Sequence, residues 1–551
     1  VRVPHAIRVA ATSLWDNLAI SARRFPDHIA IEFLGRSIRY AELARQVEVM
    51  AAHLAQLGVA RGDRVLLDMQ NCPQLVIAHF AILRANAVVV PINPMNRAEE
   101  LKHYITDADA RVAIVTSDLA ADMARASNGL PSGSGLHTLI VTHYTDAFDP
   151  EKAPELPAAW GAWLLARPAL PELNGAQVQD WATAMACRAQ PPEHVVGSDD
   201  MALLPYTSGT TGHPKGCMHP HRTVMHNVMA GALWSVGSHE NITLCVVPMF
   251  HITGIVVLMH GCIYQGAQMV LMPRWDRELA GQLISKHRVT HWTNIPTMVI
   301  DLLGSPHFDR FDLGSLQYIG GGGAGMPQAV AQRLLDLYGL KYVEGYGLTE
   351  TAAPSHSNPP DRPKQQCLGV PYLSTDARVV DPETLKELPV GESGEIIISG
   401  PMVFDGYWKR PDATQAAFIE FEGRRYFRSG DMGRVDEDGY FFMTDRLKRM
   451  INASGFKVWP AEVESLMFRH PAIQEACVIS ARDDYRGETV KAVVVLRAGQ
   501  EGKVSEQDII DWCRDNMAVY KAPRIVEFAP TLPKSGSGKV MWRALQEAQN
   551  P

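Results

Sequence analysis

The segment YTSGTTGHPKG, Tyr206 to Gly216, gathers four Ser/Thr hydroxyls, three glycines and one lysine into one short stretch. Glycine lets the backbone take left-handed conformations, so that several N–H groups can converge on one anionic object. Thr207, Ser208, Thr210 and Thr211 add hydroxyl donors, and Lys215 adds a mobile positive charge. A phosphate is the group such a loop suits. It is not the common nucleotide loop: laid from Gly209, the G-x-x-x-x-G-K-[ST] pattern meets Pro214 where it needs glycine and Gly216 where it needs Ser or Thr. The competing reading is a plain surface loop of small polar residues.

A second glycine cluster, YIGGGGAGMPQAV, offers different chemistry. Gly320, Gly322 and Gly325 satisfy G-x-G-x-x-G between a strand-like LQYI and a helix-like PQAVAQRLLDLY, and Glu344 follows about 20 residues on. This pattern makes an NAD-dependent oxidoreductase an alternative. The stretch CMHPH (Cys217, His219, His221) imitates a metal site, yet no second ligand pair follows at zinc spacing, so no metal is expected there.

A chain of 551 residues needs more than one core. Its 46% hydrophobic and 20% charged residues are those of a globular enzyme. A net charge of −8 argues against broad nucleic-acid binding and requires that anionic ligands be held by local positive charge. The eight cysteines are scattered with no C-x-x-C pair, which suggests reduced thiols and a cytoplasmic protein. The N-terminus lacks a signal-peptide core. Asn241 to Pro273 carries no Asp, Glu, Lys or Arg, but Pro248, Gly254, Gly261 and Gly266 break it. A buried strand–helix–strand unit is expected there instead of a membrane span.

These chemical segments need elements to hold them. Leu43, Val47, Met50, Leu54 and Leu57 line one helical face, and the strand-like DRVLLDM follows. QLVIAHFAILRANA then reads as helix and VVVPIN as strand, an alternation that argues for parallel sheet covered by helices. Residues 146–196, rich in proline, alanine and tryptophan, read as an irregular excursion. After Pro371 come short β-like pieces, with Asp438-Gly439 as a hairpin signal. Beyond DRLKRMINASGFKVWPAEVE a compact α+β set follows. The expected fold is α/β: a large N-terminal domain over residues 1–446, of mainly parallel sheets with covering helices and a β-rich subdomain, and a small mobile α+β domain over 447–551.

Four further motifs, GYGLTE (Gly345–Glu350), FRSGD (Phe427–Asp431), DRLKRMINASGFKVWPAEVE (Asp445–Glu464) and LPKSGSGKVMWRAL (Leu532–Leu545), follow YTSGTTGHPKG in order. In that order and rough spacing the chain resembles the AMP-forming acyl-adenylating superfamily, which includes acyl-CoA synthetases, luciferase-like enzymes and peptide-synthetase adenylation domains. The resemblance spans nearly the whole chain and is nearest to bacterial fatty acyl-CoA ligases. It implies activation of a carboxylic acid with ATP to an acyl-adenylate, then transfer to coenzyme A, with Mg²⁺ present.

The resemblance also implies roles residue by residue. Thr207, Ser208, Gly209, Thr210, Thr211, Gly212 and Lys215 would hold the β- and γ-phosphates. Thr349 would reach the α-phosphate, and Glu350 would hold Mg²⁺. Gly322, Gly323, Glu344, Gly345 and Tyr346 would border adenine. Asp431 would take the ribose hydroxyls, with Arg446 adding donors. Lys539 would bridge the acid and the α-phosphate, then leave as the small domain swings about Lys448 and presents Ser454, Gly455, Phe456 and Lys457 to coenzyme A. His251, Gly254, Gly321 and Gly322 would border the acyl group, with His251 beside the carboxylate.

Departures from the family pattern stand at Trp542, where relatives place arginine and Arg543 follows instead, and at Tyr426, where many have tryptophan. The substrate expectation is a medium- or long-chain fatty acid, then an aromatic acid; an adenylate-only carrier-loading enzyme is a further alternative, and a non-catalytic scaffold another. Partners are small molecules, with no nucleic acid and no transmembrane segment; a homodimer and peripheral membrane association are left open.

Overall fold

Helix Tyr40–Gln56 buries Leu43, Val47, Met50 and Leu54 on the face that the periodicity marks. Helix Pro73–Arg84 is buried from Pro73 to Leu83, as a segment apolar on every side must be. Both belong to the largest core, together with the buried segment around Ile255–Met259. The computed structural model describes residues 3–207, 214–235, 237–446, 449–453, 456–458, 460–483, 487–534 and 540–549; for 446, 452, 453, 456, 457, 487 and 549 it describes the backbone only. The chain packs as two units, residues 1–376 with 399–425 and residues 377–398 with 426–551.

The strand–helix alternation of the first unit builds two large sheets. One runs in spatial order Val370–Pro371, Ala353–Ser357, Val343–Leu348, Tyr318–Gly322, His291–Asn294, Ile242–Cys245, Gln268–Leu271, Ile29–Phe33 and Arg36–Arg39. Pairing is parallel from Val343–Leu348 through to Ile29–Phe33. Antiparallel strands close both edges. The other sheet runs Gly406–Tyr407, Lys215–Pro220, Met201–Leu203, Val88–Pro91, Arg64–Asp68, Val112–Thr116, Thr138–Thr142 and Gln177–Asp180, with Tyr206–Thr207 beside Lys215–Pro220. Strands Val88–Pro91 to Gln177–Asp180 are parallel.

Two readings are refined. The uncharged stretch does form parallel strands Ile242–Cys245 and Gln268–Leu271, but its helix is π-type from Gly254 to His260 before turning α at Gly261–Gln265. Among the described residues no helix is long and apolar enough to cross a membrane. The stretch 146–196 is not wholly irregular. It contains helix Ala158–Leu164 and strand Gln177–Asp180, which pairs parallel with Thr138–Thr142 and extends the sheet. Its polar sequence QVQD hides it, because an edge strand does not need an apolar run.

In the second unit, Gly394–Ser399, Arg424–Val435 and Phe441–Arg446 pair antiparallel. Asp438-Gly439 makes the turn, with Gly439 at φ +82° and Asp436 N–H donating to Tyr440 O at 2.9 Å. A second sheet sets Ile473–Asp483 against Gly487–Leu496, with Ile525–Phe528 parallel to the latter. Val463 and Met467 of helix Pro460–Met467 and Ile509, Ile510 and Cys513 of helix Glu506–Asn516 share one core under it. Tyr426 is fully buried in this unit. Trp542 and Leu545 of helix Trp542–Gln549 pack with Cys477, Ile479, Val493 and Leu532, while Arg543 pairs with Glu547 of its own helix at 3.3 Å. Trp542 is thus a packing residue, and the neighbouring guanidinium engages its own helix.

Candidate functional site

Three of the candidate segments meet in the first unit. Strand Lys215–Pro220 leaves the phosphate loop and pairs on one side with Tyr206–Thr207, Lys215 opposite Thr207, and on the other with Gly406–Tyr407, Cys217 opposite Tyr407. Lys215 Nζ lies 4.1 Å from the centroid of the Tyr407 ring. Tyr407 donates its hydroxyl hydrogen to Glu350 Oε1 at 2.7 Å. The candidate phosphate-binding cation and the candidate metal-binding carboxylate therefore share one tyrosine. Burial, then the Glu350 charge, pushes the Tyr407 hydroxyl far above its ordinary range, so it stays a donor.

The loop's stem is anchored at both legs by helix Ala98–Asp107. Tyr206 donates to Asp107 Oδ2 at 2.8 Å, and His103 Nε2 donates to the Pro214 carbonyl at 2.8 Å. Arg410 reaches Asp107 Oδ1 at 2.8 Å, and the Trp408 indole N–H donates to the Asp107 carbonyl at 2.9 Å. The loop residues Ser208, Gly209, Thr210, Thr211 and Gly212 lie outside the described residues.

The glycine run forms strand Tyr318–Gly322, parallel to Val343–Leu348, with Gly321 opposite Glu344 and Gly322 opposite Gly345. A Cβ at Gly321 would stand 1.8 Å from the Asn294 carbonyl oxygen, so close backbone packing consumes this glycine. A dinucleotide turn needs its first glycines in the bend between strand and helix; here Gly320 and Gly322 lie within the strand, and Gly323, at φ +88°, follows it. Glu344 is buried, and its carboxylate accepts Met326 N–H at 2.6 Å and Cys367 N–H at 3.2 Å. Burial raises its pKa against those hydrogen bonds. Glu344 thus fastens two loops next to the glycine strand.

Strand Val343–Leu348 ends in the one-turn helix Thr349–Thr351. Gly347 permits the bend, since a Cβ there would stand 1.8 Å from the Ala353 carbonyl oxygen. Ala352 and Ala353 then adopt φ +47° and +76°. Such conformations cost of order 1–3 kcal/mol each for a residue with a side chain. Thr349 and Glu350 are half-buried beside Tyr346, which is buried and 5.6 Å from the His356 ring.

His219 and His221, the imitation metal ligands, face different partners. His219 Nε2 is 2.7 Å from the Thr349 carbonyl, while His221 Nδ1 accepts Leu14 N–H at 3.0 Å. His251 is exposed in the turn before the π-helix, where its Nδ1 accepts Thr253 N–H at 3.4 Å; Gly254 opens that helix.

In the second unit, Asp431 stands opposite Arg446 in the pair Arg424–Val435 with Phe441–Arg446, and its N–H donates to Ser429 Oγ at 3.0 Å. Phe456 and Lys457 lie in strand Phe456–Val458, opposite Ala453 and Asn452. Lys448, Ser454, Gly455 and Lys539 fall outside the described residues. Sequence reasoning missed Tyr407, His103, Asp107 and Asn227. The GYW triplet at Gly406–Trp408 is the one local signal for Tyr407, and it is weak.

Known proteins resemble this chain over nearly its whole length. Residues 18–408 match the AMP-binding enzyme family and residues 462–539 match the AMP-binding enzyme C-terminal domain. The chain is 35% identical over 561 residues to a long-chain-fatty-acid–CoA ligase of Bacillus subtilis (strain 168), covering 99% of this chain and 96% of that one. It is 35% identical over 523 residues to a feruloyl-CoA synthase of an Amycolatopsis species, covering 94% and 96%. The ATP-bound MatB of Rhodopseudomonas palustris superposes with a TM-score of 0.80 at 28% identity, covering 98% and 99%.

Proposed function

This chain belongs to the AMP-binding enzymes, and from that premise we propose that it activates a medium- or long-chain fatty acid. It is an AMP-forming acyl-CoA synthetase, an acid–thiol ligase that uses ATP and coenzyme A. In the first half-reaction a carboxylate oxygen attacks the α-phosphorus, the bond to the bridging oxygen breaks, and pyrophosphate leaves. In the second, the thiol sulfur of coenzyme A attacks the acyl carbon, the acyl–oxygen bond breaks, and AMP leaves. Two anions must meet in the first step, so positioning and charge neutralisation dominate.

The observation that carries the site is the chain Lys215, Tyr407, Glu350. In this reading Thr207, Ser208, Gly209, Thr210, Thr211 and Gly212 join Lys215 on the β- and γ-phosphates, and Thr349 takes the α-phosphate. Gly322, Gly323, Gly345 and Tyr346 border adenine, with Glu344 holding that border in shape. Asp431 and Arg446 serve the ribose, and His251, Gly254 and Gly321 the acyl group. Lys539 bridges acid and α-phosphate, and residues 447–551 turn about Lys448 to bring Ser454, Gly455, Phe456 and Lys457 to coenzyme A. Glu350, flanked by Thr349 and Thr351, offers hard oxygen donors, and one carboxylate completed by phosphate oxygens fits Mg²⁺. When bound there, Mg²⁺ would neutralise charge on the phosphate oxygens. The free thiols of all eight cysteines support a cytoplasmic site of action.

The test is thioester formation with ATP, Mg²⁺ and coenzyme A over a panel of aliphatic and aromatic acids. Highest kcat/KM with C8 to C18 fatty acids is expected; formation of adenylate without thioester would overturn the ligase reading. The similarity to a feruloyl-CoA synthase favours an aromatic acid as the second reading, and highest kcat/KM on cinnamate-like acids would select it.

A further inference from the structure

His219 only imitates a metal ligand in the sequence, and Asn227 belongs to none of the motifs. Both sit just downstream of the phosphate loop, His219 in strand Lys215–Pro220 and Asn227 in helix His221–Trp234. Both are buried, at 0% and 3% exposure. Their side chains end on backbone carbonyls of one turn. His219 Nε2 meets Thr349 O at 2.7 Å, and Asn227 Nδ2 meets Thr351 O at 3.0 Å, Ala352 O at 2.7 Å and Pro354 O at 3.0 Å.

A carbonyl only accepts, so His219 Nε2 must carry the hydrogen, and in a neutral ring Nδ1 is then the acceptor. The fully buried Thr223 hydroxyl lies 3.0 Å from Nδ1 and 3.0 Å from the Pro220 carbonyl, so its one hydrogen is shared between these two acceptors. Burial supports the neutral ring by lowering its pKa to about 4. Asn227 has two amide hydrogens for three carbonyls, so they are shared across the turn. That turn is one the chain resists: Ala352 and Ala353 are both left-handed, where Cβ crowds the backbone. Such a conformation persists only where its surroundings over-determine it. Lys215 and His219, four residues apart on one strand, project to the same face.

The geometry points to His219 and Asn227 as positioning residues for acid activation, which hold the strained Thr349–Pro354 turn, and with it Thr349 and Glu350, in register with Lys215 before ATP binds. This inference rests on the acid-activating reading and adds residues to it. The latch makes the strand leaving the phosphate loop and the turn bearing the α-phosphate ligand one mechanical piece. Without it the turn would relax toward ordinary backbone angles and carry Glu350 away from Tyr407.

The test is ATP–pyrophosphate exchange beside thioester formation from supplied acyl-adenylate, with melting temperatures, for His219→Leu, His219→Gln and Asn227→Ser. Loss of one buried hydrogen bond corresponds to about a ten- to hundredfold fall. His219→Leu is expected to lower the exchange kcat by about that factor with the acid KM within about twofold. Use of supplied acyl-adenylate should fall less than about threefold, because it bypasses the turn's chemistry. His219→Gln, whose amide N–H can reach the same carbonyl, should recover most of the exchange. Exchange by folded His219→Leu within about twofold of wild type, or equal loss in both assays, would overturn the proposal. If His219→Leu does not fold, Asn227→Ser decides by the same two assays. Absence of exchange in the wild-type enzyme would instead sink the acid-activating reading itself.

Discussion

Tyr407 and Glu350 are joined by a 2.7 Å hydrogen bond from phenol to carboxylate, and the same ring carries Lys215 Nζ 4.1 Å above its centre. The phenol orients the carboxylate that is proposed to meet Mg²⁺. A hydrogen bond to a charged group is worth about 1.5–3 kcal/mol. Tyr407→Phe keeps the ring under Lys215 but removes this hydrogen bond from the Glu350 carboxylate. The expected result is a fall of about tenfold to a hundredfold in adenylation kcat/KM, with a raised Mg²⁺ requirement. A Mg²⁺ titration of ATP–pyrophosphate exchange checks it; an unchanged Mg²⁺ midpoint counts against the role.

Lys539→Ala separates the two half-reactions. The lysine is assigned to the meeting of carboxylate and α-phosphate, where charge neutralisation is worth about 10²–10³ in kcat. Adenylation should drop by about that factor, while thioester formation from supplied acyl-adenylate stays near wild type. Single-turnover assays of each step measure this directly, and equal loss in both would contradict the assignment.

How much of this was legible beforehand follows from how far each signal reaches along the chain. Alternating strands and helices, the Leu43–Leu54 face and the Asp438-Gly439 hairpin are local patterns, and they lie where periodicity and turn chemistry put them. The glycine run was also local, yet ambiguous. Whether Gly321 served a ligand or a neighbouring strand depended on the Asn294 carbonyl, many residues earlier. Tyr407 had only the weak GYW triplet to mark it, and Asn227 had no signal. Each meets the Thr349–Pro354 turn only through sheet pairing and helix packing, across a separation that no short motif records. Strand Gln177–Asp180 escaped because an edge position removes the apolar pattern that identifies a strand.

Buried histidines set an acid limit. His79 and His260 are both fully buried with their Nε2 atoms 2.9 Å apart, and burial lowers His79 to about 3. The unfolded chain binds that proton near the ordinary value of about 6.5, so it holds more protons than the native state between about 6.5 and about 3. Stability is therefore present above about 6.5 and is lost as pH falls toward the native value. His79→Gln removes one such group. Its urea midpoint plotted against pH should slope less steeply than wild type from about pH 6.5 to about 4. An unaltered slope would show that His79 is not held neutral.

Asp107 holds three things at once: the Tyr206 hydroxyl at the entry to the phosphate loop, the Arg410 guanidinium, and through its carbonyl the Trp408 indole. Its side chain is nearly buried, whereas Arg410 is 41% exposed. Removal of the carboxylate therefore leaves one half-solvated cation, so the ion pair deserves a discounted weight and the hydrogen bonds dominate. Asp107→Ala is expected to lower stability by about 1.5–3 kcal/mol. Tyr206→Phe loses one hydrogen bond to that carboxylate and leaves Asp107 paired with Arg410, so its cost should lie at the low end of that range, about 1.5 kcal/mol. Both changes slacken one leg of the loop while His103 keeps its hold on Pro214 at the other. With Tyr206 and Lys215 less firmly set for phosphate, apparent ATP affinity falls by the fraction of competent protein lost. KM for ATP should rise more than KM for the acid in both variants, and more in Asp107→Ala. Thermal melts with and without ATP separate the two effects: stabilisation by ATP should shrink in the variants even after their lower starting temperatures are subtracted. Undiminished stabilisation by ATP would mean that helix Ala98–Asp107 supports the fold but does not shape the loop.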